Sequence, residues 1–444
     1  MSLGDLRAAP THVVVSAGLA NAGEATRALE LAKALRAHRP HGREIEITFL
    51  SHGGWFEPRI TAAGFRVERA EPAVRGRSMI EDLQFDPPEF VGSVRLARAF
   101  IEGERAAIAR LRPDLVLHGL WPFANIAARL EGVATAAFLA VAPTVLAAEV
   151  ARELREKTPL HGEATHVFRA REEHKPAAPR QVFRQERLAQ AIARCGWTGA
   201  VPSTLFEMLD ADLVLINDLP AFYADEQLPQ NVHVTGPLFA APQPEPIAPE
   251  IAAVLDPADP RPKILCTMGS SGTKDALLEA VRGIVEESGH AWNAVILAPP
   301  SICPVDLVRA AAGPRPGLVV TDRFLPVREL YRLVDVVVSH GGQGTVQSVL
   351  AGGVPLVGVA FQTEQRINLD RAAAFGAGIR IPAQHWHAGV VADAVRAVLR
   401  DPAYRRGAQE AAALIGAADG GGTAAELLWS RLIGKTPAPA GNRG

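Results

Sequence analysis

Apolar positions along this chain alternate between short β-branched runs and longer stretches of helical spacing, a pattern that predicts an α/β protein. Residues 12–16 (HVVVS) form the first run, closed by Gly18. Between 24 and 36, Ala28, Leu31, Ala32 and Leu35 fall on one helical face. Strand-like patterns return at 44–50, from 64 to 67, at 114–117 and at 135–139, with a helical pattern at 122–130. Connections this long suit crossovers, so the pattern predicts parallel sheets covered on both faces.

The alternation breaks at 145–210. Residues 169–187 (RAREEHKPAAPRQVFRQER) are densely charged and contain prolines, which reads as a solvated excursion, with a lid over a binding site as the alternative. Strand patterns resume at 212–216 and 232–235. From 240 to 262 the chain is rich in proline, which argues against a sustained strand or a central helix and predicts a linker. A second series follows at 263–267, 292–297, 318–321, 334–339, 356–359 and 378–381, then a helical stretch at 423–433 and a loose proline-containing tail. The expected architecture is α/β, two doubly wound Rossmann-like domains facing across a cleft. Their bounds are 1–239, a linker at 240–262, 263–422, and a terminal helix and tail at 423–444 that crosses back to the first domain. Open sheets of this kind bind ligands beyond the carboxyl ends of their strands.

Composition narrows the function. At 444 residues the chain suits two domains of about 200 residues each. With 46 basic and 48 acidic residues, no global field recruits nucleic acid, and any anion has to be held by local geometry. Peripheral membrane contact stays open. Cys195, Cys266 and Cys303 are far apart, which excludes a disulfide framework and a cysteine zinc site. The thirteen histidines lack zinc-ligand spacing, so no metal is expected. The opening residues MSLGDLRAAPTH carry no apolar core and no run reaches about 18 apolar residues, so a cytoplasmic location is expected.

The strongest chemical signal lies at 334–368 (VDVVVSHGGQGTVQSVLAGGVPLVGVAFQTEQRIN). A β-branched run ends at Ser339, and His340-Gly341-Gly342-Gln343-Gly344-Thr345 turns the chain into a helix. Free amides and the positive end of the helix dipole suit a diphosphate, and glycines let phosphate oxygens approach the backbone. His340 offers a hydrogen bond or a positive charge, and Thr345 a hydroxyl. The turn is neither a Walker loop nor a dinucleotide fingerprint, and a glycine turn before a helix also occurs for structural reasons alone.

This stretch resembles the signature of the inverting UDP-glycosyltransferase superfamily, whose fold is called GT-B. The signature reads approximately HGGxGTxxE, then GVP, then DQxxN. It is matched in register by His340 to Thr345, Gly353-Val354-Pro355 and Glu364-Gln365-Arg366-Ile367-Asn368. Weaker similarity covers RPDLVLHGLWPFANIAARLEGV and PQNVHVTGPL. The resemblance implies a sugar transferred from a UDP- or dTDP-linked donor, held by the second domain, to a hydroxyl of a small, apolar acceptor held by the first. Neither cofactor nor metal is needed. It places the diphosphate on His340 and the amides around Gly341, Gly342, Gly344 and Thr345, with Ser270 and Ser271 against the phosphates. Glu364 and Gln365 take the sugar-gripping positions, Phe324 stacks on the base, and Val327 meets the base through its backbone. Three positions depart from the family. Ser348 replaces the ribose-binding glutamate, Glu364 the commoner aspartate, and Ala360 a proline.

Inversion needs a base for the acceptor hydroxyl. The superfamily's histidine in the first strand-to-helix turn corresponds here to Glu24, and its supporting aspartate to Gly119, beside His118. Glu24 reads either as the base or as an ordinary acidic residue at a helix N-terminus; His118 and His12 are the runners-up. Arg27, one helical turn on, opposes a raised Glu24 pKa or holds an acidic acceptor group. Trp121 and Phe123, just past a strand, are candidate acceptor-pocket walls. The competing readings are a nucleotide-sugar epimerase or lipid glycosyltransferase on the same fold, and a non-catalytic nucleotide-sugar-binding partner protein.

Overall fold

A computed structural model describes residues 10–40, 43–76, 79–86, 88–156, 184–240, 246–269, 271–285, 291–323, 325 and 327–433. Most of the charged excursion at 169–187 and the expected tail after 433 lie outside the described residues. The chain divides into two compact units. One holds the described residues up to 147, those at 184–240 and those from 419 onward; the other holds 148–156 and 246–418.

The first unit is built on seven parallel strands in the order β3-β2-β1-β4-β5-β6-β7. These are β1 (Thr11–Ser16), β2 (Ile45–Ser51), β3 (Arg66–Arg69), β4 (Leu115–His118), β5 (Ala134–Leu139), β6 (Leu213–Ile216) and β7 (Val232–Val234). Every residue of β4 and β6 is buried, as expected for strands covered by helices on both faces. The order reverses at β1, whose neighbours are β2 and β4, and Ser16 lies opposite His118 in register. Both turns that leave this switch point therefore start at the same level, where doubly wound sheets open a crevice.

The helix Ala22–Ala37 follows β1, started by Asn21, whose side chain accepts from the amides of Gly23 and Glu24. Its buried face (Ala25, Ala28, Leu31, Ala32, Leu35) packs in the same core as Ala424, Ala425, Leu428 and Trp429 of the last helical stretch. Trp429 Nε1 donates to Leu35 O at 3.4 Å. That stretch begins at Gly420, capped by Asp419, so the return to the first unit starts ahead of residue 423.

The irregular region at 145–210 is more ordered in part than its sequence predicts. Helices Pro143–Glu156, Glu186–Arg194 and Leu205–Leu209 occur there, and Leu188, Ala191 and Ile192 join the first unit's core.

The second unit has six parallel strands in the order β10-β9-β8-β11-β12-β13. They are β8 (Lys263–Thr267), β9 (Asn293–Leu297), β10 (Leu318–Thr321), β11 (Val336–Ser339), β12 (Leu356–Gly358) and β13 (Gly378–Arg380). Its switch point lies between β8 and β11, where Thr267 is opposite Ser339. The proline-rich stretch is only partly a linker. Pro249–Val254 is a helix with proline in its first turn, where no amide partner is lost, and it buries Ile251 on this unit. Asn293 Nδ2 donates to Val254 O at 3.1 Å and fixes its end. Among the described residues no helix is long and apolar enough to cross a membrane.

Candidate functional site

At the first unit's switch point, Glu24 sits in the first turn of the helix Ala22–Ala37 with its side chain folded back toward the sheet, 2% exposed. Its Oε1 accepts from the Gly18 amide at 3.0 Å, and the Leu120 amide also hydrogen-bonds the carboxylate. Gly119 makes room for it: a Cβ there would lie 2.8 Å from Glu24 Cδ. Burial raises the carboxyl to about 7, against the pull of the Gly18 amide, Arg27 and the Leu120 amide. A carboxylate near neutrality is a competent proton acceptor. Gly119→Ala should therefore displace the Glu24 carboxylate and lower kcat by about 10²-fold, with the thermal midpoint little changed. Steady-state kinetics beside a melting curve measures both.

His118 closes β4 wholly buried, with Nδ1 3.0 Å from Gly119 O and Nε2 without a hydrogen bond among the described residues. Burial lowers it to about 4, so it is neutral at physiological pH. His12 lies at the opposite end of β1, its ring nitrogens 3.1 Å from Leu111 O and 3.0 Å from Thr48 Oγ1. Arg27 is half-buried on the Glu24 helix and acts on that carboxylate by charge.

Trp121 and Phe123 correct the expectation of pocket walls. Phe123 has no exposure and Trp121 little; with Phe100 they form an aromatic cluster at centroid distances of 4.8 to 5.5 Å. Such packing stabilises a core and leaves no open wall. Trp121 instead donates from Nε1 to Glu104 Oε1 at 2.8 Å. Glu104 and its partner His52, at 3.1 Å, form a buried pair that the sequence did not reveal. No local spacing signals it, because the two residues meet only through the fold.

In the second unit, β11 delivers His340 into the turn before the helix Gln343–Ala351. The ring is buried between two glycine turns. A Cβ on Gly269 would lie 3.0 Å from His340 Nε2, and one on Gly342 would lie 2.6 Å from the same atom. Nδ1 makes no hydrogen bond among the described residues. Burial lowers His340 to about 4, so it is a neutral imidazole, able to donate a hydrogen bond but not to bring a charge. Gly341 takes φ +82°, which a side chain would strain, and its carbonyl accepts from Asn368 Nδ2 at 3.0 Å.

The helix beyond has no side-chain cap; its first internal bond runs from Val346 N to Gly342 O at 3.0 Å, so the Gly344 and Thr345 amides have no helical partner. Gly344 is exposed, while Thr345 and Ser348 are half-buried. The Gln343 amide, by contrast, donates to Glu364 Oε1 at 3.3 Å, which also accepts from Asn368 Nδ2 at 2.7 Å.

Gln365 is 1% exposed and satisfied at both ends: Oε1 accepts from Phe361 N at 2.9 Å, and Nε2 donates to Ser271 Oγ at 3.1 Å. It ties the β8 turn to the start of the helix Thr363–Ala374. Val327 opens a short helix and its amide donates to Leu325 O at 2.8 Å. Ser270 and Phe324 lie outside the described residues. No group of three His, Cys, Asp or Glu side chains gathers as a metal-ligand set among the described residues.

Residues 308–419, which contain this corner, match the family model for the C-terminal domain of erythromycin biosynthesis protein CIII-like proteins. A stretch of 201 residues is 31% identical to a 4'-demethylrebeccamycin synthase of Lentzea aerocolonigenes, covering 45% of each chain. The chain thus spans about half the length of that relative. A 344-residue stretch is 25% identical to a PGL/p-HBAD biosynthesis rhamnosyltransferase of Mycobacterium bovis (strain BCG / Pasteur 1173P2), covering 73% of this chain and 68% of that one. In fold, the chain is similar to the spinosyn rhamnosyltransferase SpnG complexed with thymidine diphosphate: TM-score 0.60 at 18% identity, over 95% of this chain and 99% of the other. The chain is thus similar to glycosyltransferases in sequence over part of its length, and to one in fold over nearly all of it. Its two sheets, each all-parallel with one switch point, have the GT-B fold of these structural neighbours. Against the superfamily's signature, Ser348 and Glu364 stand as departures on otherwise matching turns.

Proposed function

We propose that this chain is an inverting glycosyltransferase that moves a sugar from a UDP- or dTDP-linked donor to a hydroxyl of a small, apolar natural product. The observation that carries this reading is the corner at His340. A neutral imidazole held between two glycine turns lies beside helix amides without a helical partner, all at a sheet's switch point. Such a corner fits a diphosphate, whose oxygens take the Gly344 and Thr345 amides and a ring N–H from His340 while the helix dipole offsets their charge. The names of the relatives, a rebeccamycin-type synthase and a rhamnosyltransferase, support sugar transfer to a small molecule.

In this reading Glu24 takes the proton of the acceptor hydroxyl as that oxygen bonds to the anomeric carbon, opposite the diphosphate. The bond from that carbon to the diphosphate oxygen breaks, its electron pair leaves with the nucleoside diphosphate, and the anomeric centre inverts. The amides and His340 meet the growing negative charge of the leaving group, where fixed donors act most strongly. No divalent cation is required, and turnover should be unchanged in EDTA; a strict magnesium requirement would count against the scheme.

Ser348 stands where the superfamily places a ribose-binding glutamate. Without that carboxylate the 2′-hydroxyl loses a charged partner, so dTDP should bind no worse than UDP, and GDP more weakly than either. The thymidine diphosphate complex of the structural relative supports including dTDP. A thermal-shift panel of the three nucleotides and their sugars tests the donor assignment, and no shift with any of them would sink it. Sugar released as an acceptor glycoside distinguishes transfer from epimerisation, which needs no acceptor.

A further inference from the structure

The turns that seat Glu24 are themselves held by a carboxylate to which the transfer scheme gives no role. Glu104, on the helix Val94–Leu111, is fully buried and aims one oxygen at three polar partners. Oε1 accepts from Ser16 Oγ at 2.6 Å and from Trp121 Nε1 at 2.8 Å, and lies 3.1 Å from His52 Nε2. Each partner stands at the carboxyl end of a different strand: Ser16 closes β1, His52 follows β2, and Trp121 lies just past β4. Ser16 leads into the turn that contains Gly18, and Trp121 adjoins Leu120. Gly18 and Leu120 are the residues whose amides hold Glu24.

Donor and acceptor roles around Glu104 follow from its partners. His52 Nδ1 lies 3.0 Å from Pro72 O, which only accepts, so Nδ1 carries a hydrogen. Oε1 receives the hydroxyl of Ser16 and the indole of Trp121, which only donates, and His52 Nε2 lies beside the same oxygen. The ring thus bridges Pro72 and Glu104 and ties the turn after β2 to the same carboxyl oxygen. Glu104 Oε2 makes no hydrogen bond among the described residues. A carboxyl group this buried, with one oxygen unsatisfied, is a costly way to fill space.

The geometry points to Glu104 as a positioning residue that clamps the β1 and β4 turns, through Ser16 and Trp121, at the separation at which their amides hold Glu24. The inference rests on Glu24 being the base. If the clamp slackens, the carboxylate loses its seat and meets water, and burial no longer holds its pKa up. Among the described residues the charge acting on Glu24 is Arg27 on its own helix; the helix Met79–Leu83, whose Met79 lies beside Gly18, carries Glu81 and Asp82, Glu104 and His52 lie behind the turns, and His118 on β4 stays neutral through the range concerned.

The test uses the full chain with Glu104→Met and Glu104→Gln, measuring kcat, KM and the pH dependence of kcat, with UDP or dTDP affinity as the control. Glu104→Met should lower kcat about 10²-fold, the usual cost of misplacing a reacting group by about 1 Å. It should also move the rising limb of the pH profile from near 7 toward the ordinary carboxylate range. Nucleotide affinity stays the same. Glutamine keeps an oxygen for Ser16 and Trp121, so Glu104→Gln should restore most of the turnover and the limb. A purely structural role would reduce the active fraction without moving the limb, and an unmoved limb in Glu104→Met overturns the clamp. Should that variant fail to fold, Ser16→Ala combined with Trp121→Phe removes the same two bonds from the other side; again the limb must move. Glu24→Gln separates the two ideas. If it is fully active, the base reading has failed; if it is inactive while the limb stays put in the clamp variants, only the clamp has failed.

Discussion

Glu24→Gln is expected to lower kcat by roughly 10²–10⁴-fold, the span attributed to a general base, while UDP or dTDP affinity changes by less than about twofold. Gln has the shape of Glu and can still accept from the Gly18 amide, so the turn should keep its form; what is lost is the ability to take a proton. The pH dependence adds a sign. The carboxyl of Glu24 is raised by burial to about 7, and only the ionised form accepts a proton. Turnover should therefore climb as pH rises through about 7 and level off above it, and the residual activity of the Gln variant should lack this limb. Stability should run the other way. A carboxyl with a raised folded-state pKa favours the folded chain fully below its unfolded value and loses that contribution as pH rises through the folded one. The wild-type melting point should accordingly fall between about pH 4.5 and 7 relative to Glu24→Gln. Turnover that survives the substitution would move the base role elsewhere, with His118 next in line.

The second large effect is expected at the donor corner. Gly342→Ala adds a Cβ that would lie 2.6 Å from His340 Nε2, and the ring cannot retreat, because Gly269 closes on it from the β8 turn. Either the ring or the turn has to shift, and in both cases the proposed phosphate donors lose alignment. Removing a hydrogen bond to a charged group costs about 1.5–3 kcal/mol, so nucleoside diphosphate affinity should drop by roughly 10- to 150-fold. His340→Ala should produce a loss of the same order without the steric clash. Gly416→Ala is a suitable control: it lies in the helix Pro402–Ala417 of the same unit, with nothing within 4 Å of the added atom. Calorimetric titration with UDP and dTDP measures all three, and unchanged affinity in Gly342→Ala would remove His340 from the diphosphate site.

Much of the scaffold was legible because its signals are local. Runs such as residues 12–16 and 336–339 announce buried parallel strands, and glycines directly after a β-branched run announce a turn that must approach something closely. Signals that depend on distant partners were not legible. The resemblance named Glu24 as a candidate base, but its buried seat, which exists because Gly119, far along the chain, has no side chain to fill it, was not legible. Glu104 and His52 carry no motif, and only strand order brings them together. Trp121 and Phe123 read as pocket walls from their place after a strand, but Phe100, on another helix, draws both into the core. The prolines near 250 suggested a free tether, yet one of them sits where a helix tolerates it, and Ile251 anchors that helix.

The last helix of the chain has a practical consequence for recombination. Leu428 and Trp429 complete a core whose other members, such as Leu31 and Leu35, come from the first helix. A hybrid made by exchanging the second unit at a single crossover near residue 246 would import a foreign C-terminus and leave that core mismatched. Two junctions are needed, one on each side of the exchanged segment, so that residues from 419 onward travel with the N-terminal half.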